Sequence, residues 1–279
     1  MKKTFFSLWF ICLILFSACT AGEAQPDVPV PPSAPQETLS TTDTLICRVI
    51  TAEDTALLLA KHGGERGEIY HLDLSDLPAE AQIPDTLESG QVVEITYSGL
   101  LQETYPARPA APRSITVNEY GFDDRCTLYL RVLEDLWEAD AGLNEDVELV
   151  GVDLSATSLP GSEQSAVAWA FAARHAAAPV EGTLEELMEK GYITATPIST
   201  TGSGTGLNDP KHSFYSWDTG CHFSITEQPM EGTYSLVPVT FDAQKWRSSL
   251  GAYFFSDCTS VQSAPGRWGE YHIGSEMIS

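Results

Sequence analysis

Between Phe5 and Phe16 the chain carries an apolar run, FFSLWFICLILF, with two lysines before it and small or polar residues after it. The run is shorter than the roughly 20 apolar residues a membrane-spanning helix requires. Its charged lead and small-residue end predict a signal peptide over residues 1–18. From 19 to 43 the pattern vanishes: Pro, Ser, Thr and Ala dominate, almost no large apolar side chain is present, and the segment predicts an extended, disordered tether. Short β-branched or alternating runs begin near Thr44, namely TLICRVI, TALLLA, GEIYHLDL and QVVEITYSG, separated by Gly, Asp and Pro. They predict strands. In the last of them Val93, Ile95 and Tyr97 share one face and Ser98 with Gly99 supplies a turn, so residues 44–120 are expected to form a small β-barrel domain.

After Gly121 the period changes. Tyr129, Val132, Leu133, Leu136 and Trp137 fall on one stripe of a helix. VELVGVDL predicts a strand, and SEQSAVAWAFAARHAA a second helix ending before Pro179. Thr183 and Glu186 form a capping box for LEELMEK, which Gly191 closes in the left-handed position a helix end favours. From Thr194 to Tyr215 the composition turns to Thr, Ser, Gly, Asn and Pro. A glycine-rich phosphate loop would open a helix, whereas Asn208, Asp209 and Pro210 follow here, so a surface loop is expected. CHFSIT, YSLVPVTF, GAYFFSDCTSV and WGEYHI then read as four strands, the last two joined by a turn at Pro265 and Gly266. Helices first and strands last predict an α+β domain with an antiparallel sheet over 121–279.

Charge narrows the function. The formal balance is −24, and loss of residues 1–18 removes two lysines and no acid, leaving −26 over 261 residues with 13 Lys and Arg. Phosphate recognition depends on cations, so nucleic acid is excluded as a partner. The acidity is that of a well-solvated exported surface. Besides Cys19, Cys47, Cys126, Cys221 and Cys258 remain in the mature chain, and no C-x-x-C is present to hold zinc or run redox exchange. Cys221 and Cys258 both fall on strands expected in one sheet, which predicts proximity and a disulfide between them, set against the alternative of buried reduced thiols.

Residues Leu15, Phe16, Ser17, Ala18 and Cys19 resemble the lipobox of bacterial lipoproteins of Gram-positive type, with Phe16 where leucine is most usual. The resemblance implies a diacylglyceryl group on Cys19, which becomes the first mature residue, and a place on the extracytoplasmic face of the cell membrane. Two acyl chains hold a protein stably where one does so only marginally. The stretch VVEITYSGLLQETYPARPAAPRSITV is similar to a small β-barrel domain of unknown function in such lipoproteins, which implies an OB-like architecture and no activity. The barrel lacks the basic groove a nucleic-acid-binding version needs. In the second half LNEDVELVGVDLS, TLEELMEKGYI and FDAQKWRSSLGAYFFSDCT resemble an extracytoplasmic α+β family that carries no known chemistry. By analogy the element order there matches NTF2-like and cystatin-like folds.

Catalytic signatures are sparse. No two of the six histidines are spaced for a zinc-protease helix, and neither G-x-S-x-G nor the S-x-x-K of penicillin-binding proteins occurs. Asp140, Asn144 and Asp146 have a calcium-loop composition without its spacing. No catalytic residue, metal or cofactor is assigned. The leading expectation is a non-catalytic binding or accessory protein of the cell envelope, its partner an envelope protein or small ligand. The rivals are a spacer protein and an envelope enzyme using Cys258 with His222 or His272. The binding residues expected are Lys245, Trp246 and Arg247, because two cations around an indole are unusual in so acidic a chain and Trp and Arg often carry binding energy.

Overall fold

TALLLA is apolar at nearly every position because both of its faces are covered. A computed structural model describes residues 42–118, 121–198, 213–229 and 238–279. The expected signal peptide, Cys19, the tether up to residue 41 and positions 199–212 of the expected loop lie outside the described residues. β1 (Asp43–Ala52) pairs antiparallel with β2 (Ala56–Lys61) on one side and with β4 (Val92–Tyr97) on the other. β3 (Ile69–Asp73) lies beside β2. A two-residue hairpin, β5 (Leu101–Gln102) and β6 (Arg108–Pro109), precedes β7 (Ser114–Asn118), which lies beside β4, so the order is β3-β2-β1-β4-β7. One face buries Val49, Leu57, Leu59, Val93, Ile95 and Ile115 in its own core. The other face buries Ile50, Leu58, Ala60 and Ile69 in a second cluster, shared with two helices.

Those helices are α1 (Arg125–Glu138) and α2 (Gly161–Arg174). α2 lies between the two sheets, in contact with β1, β2 and β3 on one side and with β8 (Leu149–Asp153) and β9 (Ala178–Glu181) on the other. That placement explains its sequence, since a helix covered on two sides must be apolar around most of its girth. Its alanines keep the layers close, while Phe171 fills the space against Phe223 in an edge-to-face contact of 4.9 Å.

The second sheet comprises β8 (Leu149–Asp153), β9 (Ala178–Glu181), β10 (Thr194–Pro197), β11 (Ser213–Ser216), β12 (Gly220–Glu227), β13 (Val239–Ser248), β14 (Gly251–Ala264), β15 (Arg267–His272) and β16 (Ser275–Ile278). Its order is β10-β11-β13-β12-β8-β9, with β14 paired to β13, β15 and β16. The fold is α+β and mostly sheet, but the expected all-antiparallel pairing is corrected. β8 pairs parallel with both β9 and β12. α2 carries the chain from β8 to β9 as a crossover, which returns it in the same direction. The sheet's far face buries Leu187, Ile193, Trp217, Trp246 and Ala252 beneath α3 (Leu184–Glu189). The expected capping box opens α3: Glu186 N donates to Thr183 Oγ1 at 3.2 Å and Thr183 N to Glu186 Oε2 at 3.1 Å. At the expected β14–β15 turn, Gly266 has φ +73°, and a Cβ there would stand 1.8 Å from the Phe122 carbonyl.

A buried polar network joins the first sheet to the helices. Arg48 on β1 donates from Nε to Glu163 Oε1 on α2 at 2.8 Å. Its Nη1 donates to the carbonyls of Gly90 (2.9 Å), Gly121 (2.8 Å) and Asp123 (3.3 Å), at the entry to α1. Asp123 and Asp124 stand just before α1 and tie its entry to β15. Asp123 Oδ1 accepts from Arg125 N and from Trp268 Nε1, and Asp124 Oδ1 accepts from Trp268 N.

Candidate functional site

Lys245, Trp246 and Arg247 stand in β13, and the fold itself consumes their chemistry. Lys245 is fully buried. Its ammonium donates to the carbonyls of Trp137 (3.0 Å), Ala139 (2.8 Å) and Asp140 (3.1 Å), the C-terminal end of α1. A cation there satisfies carbonyls that have no partner within the helix and meets the negative end of the helix dipole. Burial lowers the Lys245 pKa from its ordinary value, while Asp140 and Glu138 oppose the shift. Trp246 points to the opposite face, into the core under α3. Arg247 Nη1 donates to the carbonyls of Leu143 and Glu145, and its Nη2 to that of Asp218 at 2.8 Å. The three residues expected to bind a ligand therefore anchor a helix end, a core and two loops, which corrects that expectation.

The thiols are likewise not brought together. Cys47, Cys126, Cys221 and Cys258 are free and buried. β13 separates the strands of Cys221 and Cys258. His222, beside Cys221, pairs with Trp246, whereas Cys258 pairs with Phe241, five positions along β13. That offset alone is about 17 Å, beyond the Cα separation of at most about 7 Å that a disulfide spans. The expected 221–258 bridge is therefore corrected to two separate reduced thiols. Burial, reinforced by Asp242, Asp257 and Glu276, pushes the Cys258 thiol up to about 12. His272 is exposed and pairs with Thr259, the neighbour whose side chain leaves the opposite face from Cys258. His222 is two strands away, with Nε2 3.0 Å from the Gly182 carbonyl oxygen. Neither histidine can activate Cys258 in this arrangement.

A groove that the sequence did not announce opens between the first sheet and the helices. Two pockets, of about 320 and 400 Å³, share Thr51, Glu53 and Arg174 and so lie side by side. One side of the groove is a stripe of α1. Thr127, Arg131 and Glu134 stand at i, i+4 and i+7 and therefore share one helix face. The other side is the end of α2, with half-buried Trp169, Ala170, Ala173 and Arg174. Leu57 and Leu58 of β2 with His71 of β3 close the floor.

Several polar atoms in this groove are held in place or left unmatched. Glu134 Oε1 accepts from Arg174 Nη1 at 3.0 Å, and Glu134 Oε2 lies 2.9 Å from His175 Nε2. The His175 ring stacks on Trp137 at 3.9 Å. That carboxylate is thus fixed from two sides. Arg131 Nη1 is 3.1 Å from Glu270 Oε2, yet it is buried and the alignment makes no hydrogen bond. Thr127 Oγ1 and His71 Nδ1 are also buried without a partner. Unmatched buried polar atoms cost stability unless a ligand or water completes them.

A second pocket of about 460 Å³ lies at Arg125, Ser158, Glu227 and Trp268. Its groups mostly engage one another. Glu227 Oε1 accepts from the Tyr129 hydroxyl and from Ser158 Oγ (2.9 Å), and lies 3.6 Å from Arg125, whose guanidinium sits 4.6 Å over the Trp268 ring. Among the described residues no group of three or more His, Cys, Asp and Glu is placed to hold a metal ion, and no helix is long and apolar enough to cross a membrane. Comparison with family models, curated proteins and solved structures returns no match. The α1 stripe is the one signal by which the groove could have been anticipated, because it places polar residues beside the apolar stripe that packs the core.

Proposed function

We propose that this chain is a lipid-anchored, non-catalytic binding protein of the cell envelope, a lipoprotein of Gram-positive type. It is held on the extracytoplasmic face of the membrane through Cys19 and presents the groove to an envelope ligand. The groove carries the binding reading, because it combines an apolar floor, a half-buried indole and a carboxylate fixed by a guanidinium and an imidazole in an open cleft, the composition of a small-molecule site. The lipobox supports the anchor.

The finer architecture belongs to the same proposal. The OB-like reading of the first half is supported by the order β3-β2-β1-β4-β7, which would correspond to such a barrel opened between its third and last strands, and by the bridge from Tyr70 of β3 to Ala107. The NTF2-like or cystatin-like reading of the second half is supported by α1 lying on β13, β14 and β15, and the parallel β8–β9 unit is a departure from it.

Fractionation and retention test the reading. The full-length chain should partition with membranes, and Cys19→Ala should release it to the soluble fraction. The released chain should sediment with insoluble cell-wall material, and Arg174→Ala should weaken that sedimentation several-fold without changing the melting temperature. Membrane retention of Cys19→Ala would overturn the anchor. Unchanged wall retention of Arg174→Ala would overturn the groove.

A further inference from the structure

We infer that the groove takes a neutral polyhydroxylated ring, a sugar unit of a glycan chain, stacked on Trp169; this assignment of ligand class rests on the groove being the binding site. Charge balance is the first argument. Among the lining residues the acids Glu53 and Glu134 are matched in number by Arg131 and Arg174, so the lining carries no net charge in a chain whose overall balance is −24. An anionic ligand would approach against the field of the whole protein and find no local surplus of cations. A cationic ligand would find no surplus of acids. A neutral one pays no such penalty.

Hydrogen-bond polarity is the second argument. A ring hydroxyl both donates and accepts, and a pair of neighbouring hydroxyls can meet a carboxylate and a guanidinium together. Glu134 and Arg174 are such a pair, joined at 3.0 Å and oriented further by His175. Shape is the third argument. The half-buried indole of Trp169 and the alanines beside it offer an apolar platform to the C–H face of a ring while its rim hydroxyls reach the polar wall. Two open pockets side by side suit consecutive units of a chain rather than one enclosed metabolite.

The test is a titration of the mature chain with the N-acetylglucosamine tetramer and with cellotetraose, read by tryptophan fluorescence. Inorganic phosphate and poly-glutamate serve as anionic probes. Saturable binding of at least one oligosaccharide is expected, little changed between 50 and 500 mM salt. Trp169→Ala is expected to weaken it at least tenfold; since that indole also packs on the core, Arg174→Ala, at an exposed position, is the second variant and should weaken it without a change in melting temperature. Binding of neither oligosaccharide at 10 mM, salt-sensitive binding of an anionic probe alone, or oligosaccharide binding unaffected by both variants would overturn the sugar assignment. Wall retention that still depends on Arg174, with no binding of free oligosaccharide, would overturn the ligand class alone and leave the binding reading standing.

Discussion

Arg48→Met removes the one side chain that ties the first sheet to α2 and to the entry of α1 through four hydrogen bonds. The two side chains of the pair are 8% and 5% exposed, so water cannot replace the lost guanidinium. Glu163 would keep a buried charge with only the Cys126 thiol, 3.6 Å away, as a further contact. Breaking one partner of a buried pair costs about 3–5 kcal/mol, a large share of the roughly 5–15 kcal/mol that holds a domain folded. For a folded unit of this size that corresponds to a fall in Tm of about 6–20 °C. Arg48→Met/Glu163→Leu removes the stranded charge as well and should be less destabilised than the sum of the single variants by about 2–3 kcal/mol. It does not return to wild type, because the carbonyls of Gly90, Gly121 and Asp123 remain unmatched. Urea unfolding followed by both tryptophan fluorescence and far-UV circular dichroism measures the cycle. A loss under 1 kcal/mol for Arg48→Met, or strict additivity in the double variant, would refute the interlock.

Lys245→Met should lower Tm by about 4–12 °C, from the loss of about 2–3 kcal/mol of charge-assisted hydrogen bonding at the end of α1, and should leave oligosaccharide binding intact; an unchanged Tm with lost binding would restore the triplet as a site. Native protein should resist iodoacetamide at Cys47, Cys126, Cys221 and Cys258 and show no 221–258 linked peptide by mass spectrometry, and selective labelling of Cys258 in the native state would contradict its placement. Stability should fall between pH 9 and pH 12. Unfolded thiols lose their protons above about 9, whereas burial holds Cys47, Cys221 and Cys258 up to about 12 and Cys126 also well above its ordinary value. The unfolded state therefore binds fewer protons in that window, and each thiol costs about 1.4 kcal/mol by pH 10. The lowered pKa of Lys245 works in the opposite direction, against these thiols and against tyrosines such as Tyr70, which burial also pushes up to about 12. A Tm at pH 10 equal to or above that at pH 7.5 would refute this.

Local pattern carried much of the fold. The strands before residue 98, both long helices, the capping box of α3 and the turn at Gly266 were all legible, because each depends on residues adjacent in sequence. β9 was not, since Pro179 reads as a helix stop and gives no sign that a strand follows at once. The inward turn of Lys245 was hidden for a related reason. Alternation along β13 places position 245 with Phe241 and Ala243 on the helix-facing side, but a lysine is normally read as solvent-facing, and only the carbonyls at the end of α1 make its burial tolerable. The groove was least legible of all. Its walls come from residues near 53, 71, 131 and 170, and nothing in the sequence near Trp169 separates a half-exposed indole from one more core aromatic on α2.

The most direct test of the groove as the binding site is a two-dimensional NMR titration of the mature chain with the N-acetylglucosamine tetramer, observing the five indole N–H groups of Trp137, Trp169, Trp217, Trp246 and Trp268. Trp169 lines the groove, Trp246 and Trp217 lie in the core under α3, and Trp268 lines the pocket at Arg125. The account predicts a saturable shift at Trp169, a smaller one at Trp137 through the stacked His175, and none at Trp217, Trp246 or Trp268. A shift at Trp246 or Trp268 with Trp169 unmoved would place the site elsewhere and contradict it.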